Sequence, residues 1–589
     1  MRGDFPGDCG ATPGRAVAQH LRFPVAGRGP LRGRVRGVPP ALLLLGAAWT
    51  GLGGAACAAK HGPSDVMVTD AGGYDAVGDA LLAVGGPCTG NTICDPVAAR
   101  VVRSCDPPTE GEVVETCAEG QVCRLGRCVT PACAGVSMAP SIAGCLFYTA
   151  ALDNVDSDDG KPSLIAVSNP GDAPANVHLD ERTADEAWVT AQALTIAGTS
   201  AGSFTVTSTP VQGGGLGPGL ARRIVSDVPV TVMVVQSDDA DHDATSSAGT
   251  MLLPDHALGH RYMAMTYQQS ATPRMADMPG ARGGAAEIAI IATADRTTLQ
   301  ILPPGVPTDA APTIIWMKDE GDVYQLVSEN EDDDLGGTLI QADKPVAVFS
   351  GNVVTAYGQS AAGINSPDMA MEQMLPTTEW SRTYVAARLP PQTSVCDSLF
   401  MAGPGGGAYG PVSFWRIVSE RQAMLTFVAP PTVQGLPIGP TPISPGVPYT
   451  YTVTGTGDFI VHSTQPIIMT QGMDCEPTLS SAVPVDQPLG PQLLALAPGF
   501  EHALAIVRRD EHGVVPPVIL DDSNISALFT PVAEGFSVAR VVIPPCAGPI
   551  DRCVHRLLGA YGVTLRGMDV ACSYAVTPAT WTMCTDGPC

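Results

Sequence analysis

Short segments in which apolar and polar positions alternate, separated by turns rich in Gly, Pro and Asp, fill the chain from about residue 147 onward. In the stretch "DKPVAVFSGN" at residues 343–352, Val346 and Val348 alternate with Ala347 and Phe349. This period of two predicts a β-strand, because successive side chains of a strand point to opposite faces of the sheet. The pattern predicts an all-β fold.

The same phrase occurs three times. Each copy has a polar turn, a proline and an apolar run, and the prolines are 116 and 121 residues apart: Pro229, Pro345 and Pro466. Recurrence at a nearly fixed interval indicates internal repeats of about 120 residues. We expect the residues that follow these prolines to occupy equivalent strand positions: Val230, Val346 and Ile467.

Other landmarks recur with the same spacing. "MLLPDHALGHRYMAMTY" is echoed by "QMLPTTEWSRTYVAARL", so that Tyr262 and Tyr384 are 122 residues apart. Each repeat offers six or seven β segments, which suits one sandwich of about 100 residues better than a propeller blade of about 40–50. The sequence therefore predicts three to four tandem β-sandwich-like repeats. The alternative is a closed β-propeller with more than one blade per repeat.

The N-terminal segment, residues 1–57, has the features of an export signal. Arg32, Arg34 and Arg36 precede the apolar run "ALLLLGAAWTGLGGAAC", a positive region followed by an apolar region and small residues. The long stretch before it suggests that translation begins near Val35. Cys57 is either a lipidated N-terminus of lipoprotein type or part of an ordinary secretion signal, and the sequence leaves both open.

Cysteine spacing defines a second region. Residues 58–87 are small and polar and predict a flexible linker. Residues 88–146 predict a small module stapled by disulfides and separable from the repeats, because the stretch has no His and export favours disulfides over zinc. Its cysteines are Cys88, Cys94, Cys105, Cys117, Cys123, Cys128, Cys133 and Cys145. Residues 147–589 form the repeated β region.

Charge narrows the choice of partners. The chain has a formal net charge of -26, and residues 1–56 carry seven Arg against two Asp, which leaves -31 for the remainder. Nucleic-acid binding rests on Lys and Arg neutralising phosphates, so a nucleic acid is excluded as a partner. No second run approaches about 20 apolar residues, so membrane attachment is expected only through a lipid anchor.

Three acidic clusters are candidate calcium ligands: "DNVDSDDG", "DDADHD" and "ENEDDDLGG". In the first, Asp156, Asp158 and Gly160 have partial calcium-loop spacing, and Ca²⁺ prefers six to eight oxygen ligands. The candidate ligands are Asp153, Asp156 and Asp158. The competing interpretation is that all three are solvated turns that keep strand edges from pairing with other chains. No cofactor other than Ca²⁺ is indicated.

The sequence contains no convincing catalytic motif. "GGGAYG" matches Gly-x-Gly-x-x-Gly but lies in a Pro- and Gly-rich loop, and "GQSAAG" does not satisfy a nucleophile elbow. His242 is the one histidine inside an acidic group. Trp380 and Tyr384 are expected to share one face of a strand and to pack in the core. Cys396 and Cys475 are candidates for a disulfide between neighbouring repeats.

The combined pattern resembles the IgGFc-binding protein N-terminal domain family, specifically bacterial exported members with a Cys-rich segment. The resemblance covers roughly residues 131–574 and rests on "GCLFYTAALDN", "LIAVSNPGDAPANVHL", the repeated "DxPVxV" strands, "MLP" before a Tyr-bearing strand, and "CSYAV". The segment "SYAVTPATW" departs from the Gly-rich ending of the family. The resemblance implies extracellular binding or adhesion without a catalytic centre and identifies no residue as an Fc contact.

The sequence therefore predicts a non-enzymatic binding or adhesion protein. We expect it to be an outer-membrane or cell-surface lipoprotein or to be secreted, with an extracellular protein or glycan as its ligand. Two alternatives remain: a secreted hydrolase with a loop-borne active site, and a structural matrix component.

Overall fold

The computed structural model describes residues 92–577 apart from gaps at 96–97, 104–111, 125, 137–141, 156–158, 184–186, 208, 238–245, 269–283, 307–309, 331–332, 356–367, 390–411, 474–477, 487–488, 511–514 and 569–572. All described residues lie in one compact unit of the chain, Asp75–Cys589.

The Cys-rich region forms two small sheets and a short helix. Its elements are β1 (Thr92–Cys94), β2 (Arg100–Arg103), β3 (Glu112–Thr116), β4 (Val122–Arg124), β5 (Arg127–Val129) and α1 (Pro131–Val136). Strands β1, β2 and β3 form one antiparallel sheet, and β4 and β5 form a hairpin. Disulfides Cys94–Cys123 and Cys117–Cys128 join the two sheets, as expected where few apolar side chains fill a core.

The remaining strands form four repeats with the same order of pairing. The first repeat contains β6 (Gly144–Thr149), β7 (Pro162–Asn169), β8 (Ala175–Arg182), β9 (Trp188–Ile196), β10 (Ser200–Thr207), β12 (Arg222–Gln236) and β13 (Ala248–Met251). Strand β11 (Gly215–Gly217), which lies between β10 and β12 in the chain, joins the sheet of the second repeat instead. The second contains β14 (Gly259–Met263), β15 (Ala286–Ala292), β16 (Thr297–Leu302), β17 (Thr313–Met317), β18 (Val323–Val327), β19 (Leu339–Thr355) and β20 (Asp368–Gln373).

The third repeat contains β21 (Ser381–Ala386), β22 (Ser413–Ser419), β23 (Ala423–Val428), β24 (Val433–Gln434), β25 (Thr441–Ile443), β26 (Tyr449–Gly455), β27 (Phe459–Met473) and β28 (Leu479–Ser481), followed by β29 (Val483–Pro484). The fourth contains β30 (Gln492–Ala495), β31 (Glu501–Arg509), β32 (Ile519–Leu520), β33 (Ser523–Asn524), β34 (Thr530–Ala533), β35 (Phe536–Ile543), β36 (Val554–Leu558), β37 (Gly562–Met568) and β38 (Ser573–Val576). Single 3-10 turns occur at Asp255–Ala257, Thr377–Glu379, Ser526–Leu528 and Ile550–Arg552.

A long central strand organises each of the first three repeats, and the recurring proline lies within it. In β12, residues 222–226 pair with β6 and β8, whereas residues 231–235 pair with β7, and the pairing with β6 shifts register around Pro229. Proline has no N–H to donate, so it is tolerated where the strand exchanges one set of neighbours for another.

The predicted equivalence of Val230, Val346 and Ile467 is confirmed. All three are buried and lie just after the prolines on β12, β19 and β27. Each pairs with the opening strand of its own repeat, at Gly144, Gly259 and Ser381 respectively. In the fourth repeat the central strand is divided into β36 and β37, which keep the corresponding neighbours.

The inner strands of the four repeats meet one another, and each repeat shares an apolar core with the next. Strand β13 contacts β20 and β38, and β28 also contacts both β20 and β38, which closes a ring. Shared cores contain Ile165 with Ile291, Ile290 with Ile468, Val385 with Val507, and Val235 with Leu565. The prediction of an all-β fold built from tandem repeats is confirmed, and the inner strands of the four repeats also contact one another in a closed ring.

Buried carboxylates on β20 join all four inner strands. Asp368 accepts hydrogen bonds from the backbone N–H of Ser247 (2.7 Å) and of Ser573 (3.0 Å), in the first and fourth repeats. Glu372 accepts one from the hydroxyl of Thr250 (3.2 Å) in the first repeat and one from the N–H of Ser481 (3.0 Å) at the end of the inner strand of the third. The second repeat therefore supplies the acceptors at the centre of the ring.

The recurring "MLP" phrase is a joint between repeats. A Cβ at Gly144 would lie 2.3 Å from the side chain of Pro254, and a Cβ at Gly259 would lie 2.5 Å from Pro376. Each proline therefore packs against the opening strand of the preceding repeat, at a position where only glycine leaves enough space.

The Cys-rich module is joined to the repeats by a strand, a disulfide and hydrogen bonds, and its separation from them on reduction stays a prediction. Strand β6 crosses the boundary predicted between residues 146 and 147. The disulfide Cys133–Cys145 links α1 to β6. Arg127 of β5 donates hydrogen bonds from Nη2 to the hydroxyl of Tyr148 (2.9 Å) in the first repeat and to Glu320 (3.0 Å) in the second.

Candidate binding surface

Four equivalent outer strands end one side of each repeat: β9, β17, β25 and β33. In the second repeat the strand order is β11-β18-β15-β19-β16-β17, so β17 is an end strand. It pairs with β16 in antiparallel register from Thr297 with Met317 to Ile301 with Thr313. On its other side, no strand within the described residues pairs with it.

Strand β17, with the sequence "TIIWM", exposes apolar side chains. Ile315 and Met317 face inward and contribute to the core of the second repeat. Ile314 and Trp316, on the opposite face, are each 57% exposed. Because strand residues two apart lie on one face about 7 Å from each other, these two side chains form a continuous apolar strip. We call Ile314, Trp316 and the free edge of β17 the β17 surface.

The β16–β17 hairpin is fixed to the central strand of its repeat. Asp343 accepts a hydrogen bond from the backbone N–H of Thr298 (2.7 Å), the residue opposite Trp316. Lys344 donates a hydrogen bond to the carbonyl of Arg296 (2.5 Å) at the turn before β16. These contacts hold the β17 surface in one position before any partner binds.

The other three outer strands lack such a surface. Strand β9 is covered at its edge by β10, and the Gln192 side chain donates to the carbonyl of Thr205 (2.9 Å). Strand β25 contains Pro442, and β33 has two residues, both polar. Edge strands commonly avoid unwanted pairing by being covered by another element, by containing proline or by being short. Strand β17 has five residues, no proline and no charge.

The model of the IgGFc binding protein family matches residues 248–567, from β13 to β37, more than half of the chain and inclusive of β17. The chain belongs to the IgGFc-binding protein family. This is a family of binding proteins that are typically extracellular and are not known as enzymes. No curated protein matches the chain.

The predicted calcium ligands are only partly described. Asp153 is buried, and its carboxylate accepts a hydrogen bond from the N–H of Gly213 (3.4 Å). Asp156 and Asp158 lie outside the described residues. In the described part of the chain, no group of three or more His, Cys, Asp or Glu is placed to hold a metal ion. Calcium binding stays a prediction.

Part of the third acidic cluster, "ENEDDDLGG" at residues 329–337, makes contacts within the protein and is not a solvated turn. The Asp334 carboxylate forms an ion pair with Arg416 of the third repeat and accepts a hydrogen bond from the hydroxyl of Thr266 (3.0 Å). Arg416 is buried, and its guanidinium lies over the ring of Tyr267. This part of the cluster joins the second repeat to the third.

Six of the cysteines predicted for the module lie in the described residues, and all six form disulfides: Cys94, Cys117, Cys123, Cys128, Cys133 and Cys145. A further disulfide joins Cys546 to Cys553 in the fourth repeat. The remaining sequence candidates lie outside the described residues: Cys57, Cys88, Cys105, His242, Cys396 and Cys475. None of the helices in the described ranges has the length and hydropathy of a membrane-spanning segment.

Trp380 and Tyr384 are core residues, as predicted, but they do not share a strand face. Trp380 follows a 3-10 turn, precedes β21 and packs in the core of the second repeat. Tyr384 lies in β21 and packs in the core of the third. Its hydroxyl donates to the carbonyl of Ile467 (2.6 Å) and accepts from the N–H of Ser381 (3.1 Å).

Sequence reasoning missed the β17 surface and the central carboxylates. The run "TIIWM" has the apolar composition of a buried strand, and only its position at a sheet end exposes alternate side chains. Asp368 and Glu372 are ordinary polar positions in "SPDMAMEQMLP", where nothing distinguishes them from exposed residues. Their spacing of four does place them on one face of a strand, which was the available signal.

Proposed function

We propose that this protein is a non-enzymatic extracellular binding protein and that it binds a protein ligand through the β17 surface. Membership of a binding family supports the general role. The observation that carries the proposal is the pair Ile314 and Trp316, each 57% exposed on an uncharged strand edge. Large exposed aromatic residues are enriched among the side chains that dominate protein-binding energies.

Export also forms part of this proposal. The support for it is the apolar segment after Arg36 together with the disulfides of the Cys-rich module. The sequence leaves two routes open: attachment to a membrane through a lipid on Cys57, and plain secretion. Labelling cells with a radioactive fatty acid, with Cys57→Ser as the control, tests that choice directly.

A binding panel tests the function. The purified protein is immobilised and exposed to IgG Fc, a mucin-like glycoprotein and a soluble polysaccharide. Replacement of both apolar residues, Ile314→Ser with Trp316→Ser, is expected to weaken binding of the recognised protein by tenfold or more, about 1.4 kcal/mol. The matched control is Ile438→Ser, which changes an exposed Ile on a loop of the third repeat.

Equal affinity of the double variant and the unaltered protein would place the binding site elsewhere. Binding of the polysaccharide alone, unaffected by either change, would favour a glycan-binding role. Turnover of any panel member would support the hydrolase alternative.

A further inference from the structure

The β17 surface offers backbone as well as apolar side chains. An end strand presents a row of N–H and C=O groups that can pair with an added strand. Strand β17 lacks the coverage of β9, the proline of β25 and the shortness of β33. Three of the four equivalent outer strands are therefore protected against the addition of another strand, and β17 is not.

We propose that the partner docks by adding an extended segment of positive charge to the free edge of β17, which continues the sheet beyond β17. This inference rests on the proposed function and specifies its mode. Backbone pairing supplies much of the affinity in strand addition, and pockets for alternate side chains supply specificity. Ile314 and Trp316 would contact every second side chain of the added segment on one face.

The net charge of the chain indicates which charge the partner segment should carry. The chain carries a formal net charge of -26, whereas β17 itself has no charged residue. The negative electrostatic field of such a chain attracts a basic segment as the two molecules approach and repels an acidic one. It also disfavours a second copy of this chain as the occupant, because two copies that paired through β17 would each carry the same net charge.

The geometry of the hairpin fits a preformed docking edge. Strand β16 is paired on its other side with the central strand β19, at Leu299 with Ala342 and Leu302 with Leu339. Asp343 holds the backbone of Thr298 opposite Trp316. Because β17 is already ordered, an added strand loses only its own conformational freedom on binding, which favours measurable affinity for a short segment.

Hydrogen–deuterium exchange of the full chain tests the proposal. The probe is a short peptide of alternating Lys and Val, and the matched control has Glu in place of Lys. The Lys peptide is expected to slow exchange of backbone amides in residues 313–317 by about tenfold or more, since hydrogen-bonded amides are protected. The Glu peptide is expected to give no protection. A Lys peptide with a central Pro should also fail, because it cannot complete the ladder.

The outcomes separate this inference from the proposed function. Protection by both peptides would overturn the role of charge, and absence of protection in residues 313–317 with either peptide would overturn strand addition. If the panel ligand still binds and loses affinity in the Trp316→Ser variant, the binding function stands while strand addition fails. If light scattering shows dimers that the Trp316→Ser variant abolishes, the occupant is a second copy and the proposed partner is wrong.

Discussion

Glu372 is a buried carboxyl group in the middle of the ring of inner strands. Burial raises its pKa from an ordinary value of 4.5 to about 8, and hydrogen bonds from Ser481 and Thr250 lower the pKa only in part. The other ionisable side chains on the described inner strands are Asp368 and Tyr574. The protonated form of Glu372 is therefore the one that the folded protein prefers at neutral pH.

This raised pKa predicts how stability depends on pH. Between about pH 4.5 and 8 the folded protein keeps a proton that the unfolded chain has released, so the free energy of unfolding falls as pH rises through this window. The slope contributed by one such group is at most about 1.4 kcal/mol per pH unit. Urea unfolding at several pH values across the window measures this slope.

The Glu372→Gln variant isolates the effect, because glutamine mimics the protonated acid. We expect it to remove much of the slope and to be more stable than the unaltered protein at the alkaline end of the window. Glu329→Gln, at an exposed position before the β19 strand, is the control and should leave the slope unchanged. A Glu372→Gln variant with the original slope would show that another group is responsible.

At the scale of elements, a buried Tyr hydroxyl ties an opening strand to the central strand of its repeat. Tyr262 donates to the carbonyl of Val346 (2.8 Å) and accepts from the N–H of Gly259 (2.7 Å). Tyr384 makes the same two contacts in the third repeat. The first repeat has Phe147 at this place in the pairing, opposite Ile224, and so lacks the hydroxyl.

The Tyr384→Phe variant is expected to be less stable by about 1–3 kcal/mol, because two buried backbone groups lose their partner. Chemical denaturation gives the value directly. Tyr324→Phe serves as the control, since Tyr324 is only half-buried. A loss below about 0.5 kcal/mol would mean that the hydroxyl is dispensable, as it is in the first repeat.

At the scale of the whole molecule, disulfides and ring closure stabilise different regions. The disulfides of the Cys-rich module close segments of 29, 11 and 12 residues, and the one in the fourth repeat closes a segment of 7. From the entropy of loop closure, the disulfide that closes the longest segment is expected to stabilise the folded protein by about 3–4 kcal/mol, and the one that closes the shortest by about 2 kcal/mol. The repeats also share four apolar cores, of which three contain no cysteine and the one between the first and fourth repeats contains Cys553.

Reduction is therefore expected to release the module while the repeats stay folded. Trypsin with dithiothreitol should cut first at Arg100, Arg103 and Arg124, and the oxidised protein should resist at the same sites. The fragment that begins near β6 should persist, because ring closure and the apolar cores remain. Equal resistance with and without reductant would show that the contacts of Arg127 hold the module without its disulfides. Earlier cutting within the repeats would show that the Cys546–Cys553 bond is the critical one.

The sequence by itself determined the β class, the repeat interval and the landmarks, because a period of two and the restrictions of Pro and Gly are local properties of the chain. It also located the disulfide-rich region through cysteine spacing. Tertiary structure alone decided that β13, β20, β28 and β38 meet, since their contacts join residues up to several hundred positions apart. Tertiary structure also decided that "TIIWM" ends a sheet while similar apolar runs are enclosed. Whether a strand is central or at an edge depends on which non-local partners reach it, and no pattern within five residues encodes that.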